Sequence, residues 1–95
     1  FTMKSSDVTH PITGQFEADT YATFSKITAN EGGLNIVGLS DSDSRALVLE
    51  GWIGASDPTD TVEAIRLSGR KSDGSNGIAA LSNSETVLKI YNHSS

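Results

Sequence analysis

One six-residue phrase recurs along this chain and limits what it can become. Gly33-Leu34-Asn35-Ile36-Val37-Gly38, Ala46-Leu47-Val48-Leu49-Glu50-Gly51 and Ala64-Ile65-Arg66-Leu67-Ser68-Gly69 share the order small, apolar, variable, apolar, variable, Gly. A looser fourth copy, Val87-Leu88-Lys89-Ile90-Tyr91-Asn92, carries Asn in the Gly position. In an extended chain alternate side chains point to opposite faces. Leu34 with Ile36, Leu47 with Leu49, Ile65 with Leu67 and Leu88 with Ile90 would therefore each set two apolar teeth on one side. The pattern predicts four short strands with one buried side each. The closing Gly or Asn is expected to supply the positive φ of a bulge or tight turn. The phrase specifies architecture and no reaction.

The apolar supply is thin. A domain of 95 residues buries only about 60 to 65% of the surface its unfolded chain exposes. Here 36% of residues are hydrophobic and 6% aromatic, with one Trp. There is no cysteine for a disulfide and no His/Cys cluster for a structural metal, so association of copies is the expected way to complete a core. The absence of Cys leaves the redox compartment open. The net charge of −5 and pI near 4.7, with seven scattered basic residues of which only Arg70 and Lys71 adjoin, speak against a nucleic-acid partner. No stretch approaches the ~20 apolar residues of a membrane helix, and no membrane partner is expected. Phe1 to Asp7 lacks the apolar core of a secretory signal. The chain reads as an excised piece of a longer protein.

Residues 1–20, with Pro11, Gly14 and many Ser and Thr, are expected to form an N-terminal arm or linker, and residues 21–95 a β domain. The alternation Val8, His10, Ile12 would suit a sheet edge, with His10 itself at the surface and held extended by Pro11. An arm ordered by a partner would add a strand to a neighbouring subunit. From Tyr21 a strand is predicted, with Tyr21, Thr23, Ser25 and Ile27 on one face and Ala22, Phe24, Lys26 and Thr28 on the other. A break follows at Asn30 to Gly33. The second phrase runs on through Trp52 and Ile53, so Ala46 to Ile53 is expected at the centre of the core. Ala55 to Thr61 is a turn by its Asp-Pro-Thr chemistry. Ile78 to Leu81 is the best place for a short helical turn, and Thr86 to Tyr91 the last strand. The stretches between phrases lengthen along the chain, whereas a solenoid keeps a constant repeat. The fold expected is thus all-β, a small antiparallel sandwich or barrel-like sheet pair. Leu34, Ile36, Leu47, Leu49, Trp52, Ile65, Leu67, Leu88 and Ile90 are its core or subunit-interface residues.

No constellation carries chemistry. Asp41-Ser42-Asp43-Ser44-Arg45 starts like a calcium loop, then fails with Arg45 at position five, Ala46 where Gly is required and Trp52 where Glu is required. A solvated Asx/Ser turn is the better account. Asp57, Asp60 and Glu63 form a carboxylate cluster in sequence, but glycoside hydrolysis needs a cleft that fixes their separation and raises one pKa. His10 and His93 stand near opposite ends with no nucleophile elbow beside any Ser. Asn92-His93-Ser94 fits a glycosylation acceptor, a short pattern that chance produces often. Trp52 with Tyr21 or Tyr91 could stack on a sugar, though a Trp in an apolar strand suits a core or subunit interface better. Neither a catalytic residue, a metal ligand nor a cofactor site is expected.

The residues as a whole resemble a module common in tailed-bacteriophage structural proteins. The resemblance is carried by His10-Pro11-Ile12-Thr13-Gly14, Glu17-Ala18-Asp19-Thr20-Tyr21-Ala22-Thr23-Phe24-Ser25-Lys26 and Gly32-Gly33-Leu34-Asn35-Ile36-Val37-Gly38-Leu39-Ser40-Asp41. It continues through Ala46 to Gly51, Asp57 to Thr61 and Glu85 to Asn92. It spans His10 to Asn92 and brings no catalytic residue or cofactor. It implies a homotrimeric, non-enzymatic component of the virion, of tail-fibre, tail or capsid-decoration type. Its partners would be itself, other virion proteins and a host-surface glycan. The rival expectations are a carbohydrate-binding module built on Trp52 and a Tyr, and a glycan hydrolase built on Asp57, Asp60 and Glu63.

Overall fold

The computed structural model describes residues 1–55 and 62–93. Among these residues there is no helix. The regular elements are β1 (Thr2–Lys4), β2 (Thr20–Thr28), β3 (Gly32–Gly38), β4 (Arg70–Ser72) and β5 (Ile78–Ala80), all paired antiparallel. The chain divides into two units, Phe1–Leu49 and Glu50–Ser95.

The first unit is a three-stranded sheet in the order β1-β2-β3. The sequence of β2, with three Thr, Ile, Tyr and Phe, favours an extended backbone, and it pairs on both edges. Its register with β3 sets Ala22 opposite Gly38, Phe24 opposite Ile36 and Lys26 opposite Leu34. The chain reverses through residues 29–31 and re-enters at Gly32 and Gly33, with φ of 86° and 81°. That left-handed backbone is open to Gly at little cost. On the other edge Met3 faces Ala22 but Lys4 faces Thr20, which leaves Tyr21 as an extra residue in β2. One extra residue shifts the alternation of faces. Thr20 and Thr23, three apart, are accordingly both buried while Tyr21 is not.

The interior of this unit is small and polar: His10, Thr20 and Thr23, with Leu39 the buried hydrophobic residue among those described. His10 is 1% exposed, which corrects the expectation that it lies at the surface. Its ring bridges two backbone groups. Nδ1 accepts from the Ile12 amide at 3.1 Å, so Nε2 carries the proton and donates to the Thr20 carbonyl at 2.7 Å. The His10 amide donates to the Ala18 carbonyl at 3.2 Å. Pro11 does hold the chain away from helix here, but the turn it enters folds the imidazole inward. Among the described residues no buried side-chain nitrogen or oxygen lacks a partner.

The second unit contains the β4-β5 hairpin, with Arg70, Lys71 and Ser72 facing Ala80, Ala79 and Ile78. Ile78–Ala80 is therefore a strand where a helical turn was expected. The cause lies in the loop before it. Asp73 Oδ1 accepts from the amides of Ser75 and Gly77 at 2.8 and 3.1 Å, and Gly74 takes a φ of 91°. This Asx-type closure returns the chain antiparallel onto β4 and leaves no room for a helical start. Beyond β5, the Glu85 carboxylate accepts from the Ser82 amide at 2.6 Å and from Lys71 Nζ at 2.8 Å. The turn 82–85 is thereby tied to β4.

Only the first of the four phrases is a ladder strand, as β3. Among the described residues no ladder runs through residues 46–51, 64–69 or 87–91, against the expectation of four strands and of a last strand at Thr86 to Tyr91. The phrase itself is strand-compatible, as β3 demonstrates; what the other three copies lack is a neighbouring strand within the chain. The turn expected over Ala55 to Thr61 lies largely outside the described residues.

Candidate assembly surface

The second, third and fourth phrases share a local geometry that the uneven spacing between them conceals. Each opens at a backbone bend, at Ala46, Ala64 and Val87. At each bend sits the Gly that closed the preceding phrase. A Cβ placed on Gly38 would fall 2.0 Å from the Ala46 carbonyl oxygen, and one on Gly51 would fall 2.2 Å from that of Ala64. On Gly69 it would meet Val87 Cγ1 at 3.3 Å and the Val87 carbonyl oxygen at 3.5 Å. The end of one phrase thus docks closely on the first residue of the next at Gly38 and Gly51, and more loosely at Gly69. None of these three Gly has a positive φ. The expectation of a left-handed residue is corrected: at Gly38 and Gly51 a backbone carbonyl occupies the space of the missing side chain, while Gly69 is in ordinary contact with Val87 and Leu81. This junction was missed in the sequence, although both of its members were marked there as the first and last positions of the phrase.

The teeth of the phrases face outward. All nine residues singled out as core or interface, Leu34, Ile36, Leu47, Leu49, Trp52, Ile65, Leu67, Leu88 and Ile90, are exposed, from 43% at Ile36 to 88% at Trp52 and Ile90. Val48, Ile53, Val62 and Val87 are exposed with them. The run from Ala46 to Ile53, expected at the centre of a core, is exposed at its apolar side chains. The physical reason is again the missing neighbour, because a lone extended segment has two open faces and two open edges. Each such side chain forgoes about 1.5 to 3 kcal/mol that full burial would provide.

The variable positions carry charge of both signs, after the second tooth in phrase two and between the teeth in phrases three and four. Phrase two presents Glu50, phrase three Arg66 and phrase four Lys89. Arg66 donates from Nε to the Glu63 carboxylate, and this bond holds the Glu63 carboxyl below the ordinary glutamate range. Lys89 Nζ lies 4.9 Å from the centre of the Tyr91 ring, in cation–π range.

Among the described residues the structure assembles none of the sites weighed for chemistry. Asp57 and Asp60 lie outside the described residues, and Glu63 is engaged by Arg66. Ser40 to Ser44 form an exposed loop stitched by their own hydroxyls, with Ser40 Oγ accepting from the Ser42 amide at 3.4 Å. Among the described residues no three His, Asp or Glu side chains converge. Both ring nitrogens of His10 are engaged by backbone groups, and no Ser or Asp side chain touches them. An open depression beside β1 is lined by Lys4, Glu17 and the backbone of the 13–18 loop. Its cation is already engaged: Lys4 Nζ sits 2.7 Å from Glu17 and 3.6 Å from Asp19. What remains are uncovered apolar teeth in each of the two units. No family model, curated protein or solved structure matches this chain.

Proposed function

We propose that this chain is a non-enzymatic structural module of a tailed-bacteriophage virion, of fibre, tail or capsid-decoration type, that assembles as a homotrimer. The observation that carries the assembly is the exposure of all nine phrase-related apolar residues in a chain whose described interior is four residues, three of them polar. Three copies about an axis would bring such rows together and close them into a shared barrel or sandwich, as symmetric oligomers complete cores that one chain is too short to make. The placement in a virion is supported by the sequence resemblance from His10 to Asn92. Other virion proteins are then its lateral partners. The test is solution mass by light scattering combined with melts at several protein concentrations. A trimer whose midpoint rises with concentration fits the proposal; a stable monomer, or a different stoichiometry, sinks the trimer.

A second reading, a carbohydrate-binding module, draws on Trp52 at 88% exposure and Tyr91 at 60%. An exposed indole is what stacking on a sugar ring requires. Titration of the assembled protein with host-surface glycans, followed by Trp52 emission, separates the two. Saturable quenching supports the glycan site, while an indole already shielded by assembly and silent to glycan removes it.

A further inference from the structure

We propose that Asn76 is a site of covalent modification, where the chain deamidates through a succinimide with Gly77, and that the Asp73 carboxylate sets the rate by holding the nitrogen that must attack. The chain has five Asn, at positions 30, 35, 76, 83 and 92, followed in turn by Glu, Ile, Gly, Ser and His. A side chain on the following residue obstructs its backbone nitrogen as that nitrogen turns onto the Asn side chain, and Gly has none. Asn76 is the Asn that precedes Gly, and both residues lie exposed in the tip that joins β4 to β5.

Water balances the reaction. The Gly77 nitrogen gives its proton to solvent and forms a bond to Cγ of Asn76; the Cγ–Nδ2 bond breaks, and the side-chain nitrogen takes a proton and leaves as ammonia. Water then opens the succinimide. Attack at Cγ yields aspartate, while attack at the backbone carbonyl carries the chain through the side chain as isoaspartate, one methylene longer.

In the folded tip the attacking nitrogen is engaged. The Gly77 amide donates to Asp73 Oδ1 at 3.1 Å, the Gly77 carbonyl accepts from the Asp73 amide at 3.2 Å, and the Ser75 amide donates to the same Oδ1 at 2.8 Å. A Cβ on Gly77 would fall 2.6 Å from Asp73 Oδ2. The absent side chain that opens Asn76 to attack is thus also what lets the carboxylate close over Gly77. A hydrogen bond to an ionised acceptor keeps the proton on the nitrogen, and the closed loop fixes the backbone that must rotate for the ring to form. The product carries a new carboxylate three residues from Asp73, and like charge there works against the clamp. Asp73 is itself followed by Gly, but ring closure at an Asp returns an aspartyl residue of unchanged mass, so a mass gain in this tip reports Asn76.

This site is independent of the proposed assembly. The test incubates the full chain at mildly alkaline pH, native and in urea, and follows the amide-to-acid mass gain at each Asn by peptide mass spectrometry. In urea Asn76 should react faster than the other four Asn. The native chain should react at Asn76 about tenfold more slowly than the denatured one, as a hydrogen bond to a charged acceptor implies. Asp73→Ala should bring the native rate up to the denatured rate while the β2 and β3 amides keep their exchange protection. Equal rates at all five Asn in urea overturn the site. A native Asp73→Ala rate equal to that of the parent overturns the gate and leaves the site standing. Loss of β2 and β3 protection in the variant assigns the slow native rate to the fold as a whole and overturns the gate as well.

Discussion

Gly51 and Gly54 stand three residues apart and make a controlled pair. A methyl group on Gly51 would enter the Ala64 carbonyl, whereas nothing lies within 4 Å of the same position on Gly54. Gly51→Ala should therefore cost about 1 to 3 kcal/mol, as overpacking against backbone does. Gly54→Ala should be neutral or stabilising by up to about 1 kcal/mol through the unfolded state. Chemical denaturation of the two variants beside the parent checks this, and equal behaviour would remove the junction. His10 gives a second residue-scale outcome. His10→Ala strands the Thr20 carbonyl and the Ile12 amide and opens a void, a loss of about 2 to 4 kcal/mol. Exchange protection in residues 8–20 should collapse while the β4-β5 hairpin is unaffected. That burial was not legible in the sequence: the short alternation Val8, His10, Ile12 reads as a sheet edge, and the inward turn of His10 depends on Ala18 and Thr20, eight and ten residues away.

At the scale of elements, local chemistry decided what could be foreseen. The β-branched run of β2 and the Gly-Gly reversal after it announce their own structure, and both were legible. The tie of the 82–85 turn to β4 was not, since Lys71 and Glu85 are separated by a hairpin that reads as a polar loop. The Lys71 ammonium, and then the Ser82 amide, hold the Glu85 carboxyl below the ordinary glutamate range. A carboxylate depressed in the folded state contributes stability above its unfolded pKa and loses it as the pH falls through the folded value. Acidification into and below the glutamate range should loosen this turn, and Glu85→Gln should remove that part of the acid response, read from the exchange of the Ser82 amide. Both groups are well exposed, so the effect shrinks with added salt. On the alkaline side, Glu17 raises the Lys4 pKa. Its contribution is complete below the ordinary lysine value and disappears as the pH rises through the raised one.

For the whole molecule the phrases were readable as four equal units, and their teeth were expected in a core or a subunit interface; within the described residues of one chain they are exposed. Alternation reports which side chains share a face; it is silent on which chain supplies the neighbour. Trp52 offers the direct readout. Its emission should be that of a solvated indole when the protein is dilute and should shift to the blue as copies associate. A spectrum independent of concentration counts against its place in the interface. Three copies at −5 each carry −15, so association works against self-repulsion. Raising ionic strength should then strengthen assembly, as screening relieves repulsion beyond about 10 Å at 0.1 M salt. An assembly that salt dissolves would instead place ion pairs at the heart of the interface.

The junctions at Gly38 and Gly51 are alike, yet the excursions between phrases are not: residues 39–45, 52–63 and 70–86 join successive phrases, so each detour exceeds the last by five residues. A constant seam with variable detours separates what the chain must keep from what it can change. Sequence added to a detour need not disturb the seam, and the longest detour already holds a complete hairpin with its tip at Asp73 to Gly77. In the proposed assembly a foreign peptide spliced into that tip would be carried once by every copy, so its valency would be set by the assembly and not by the insert.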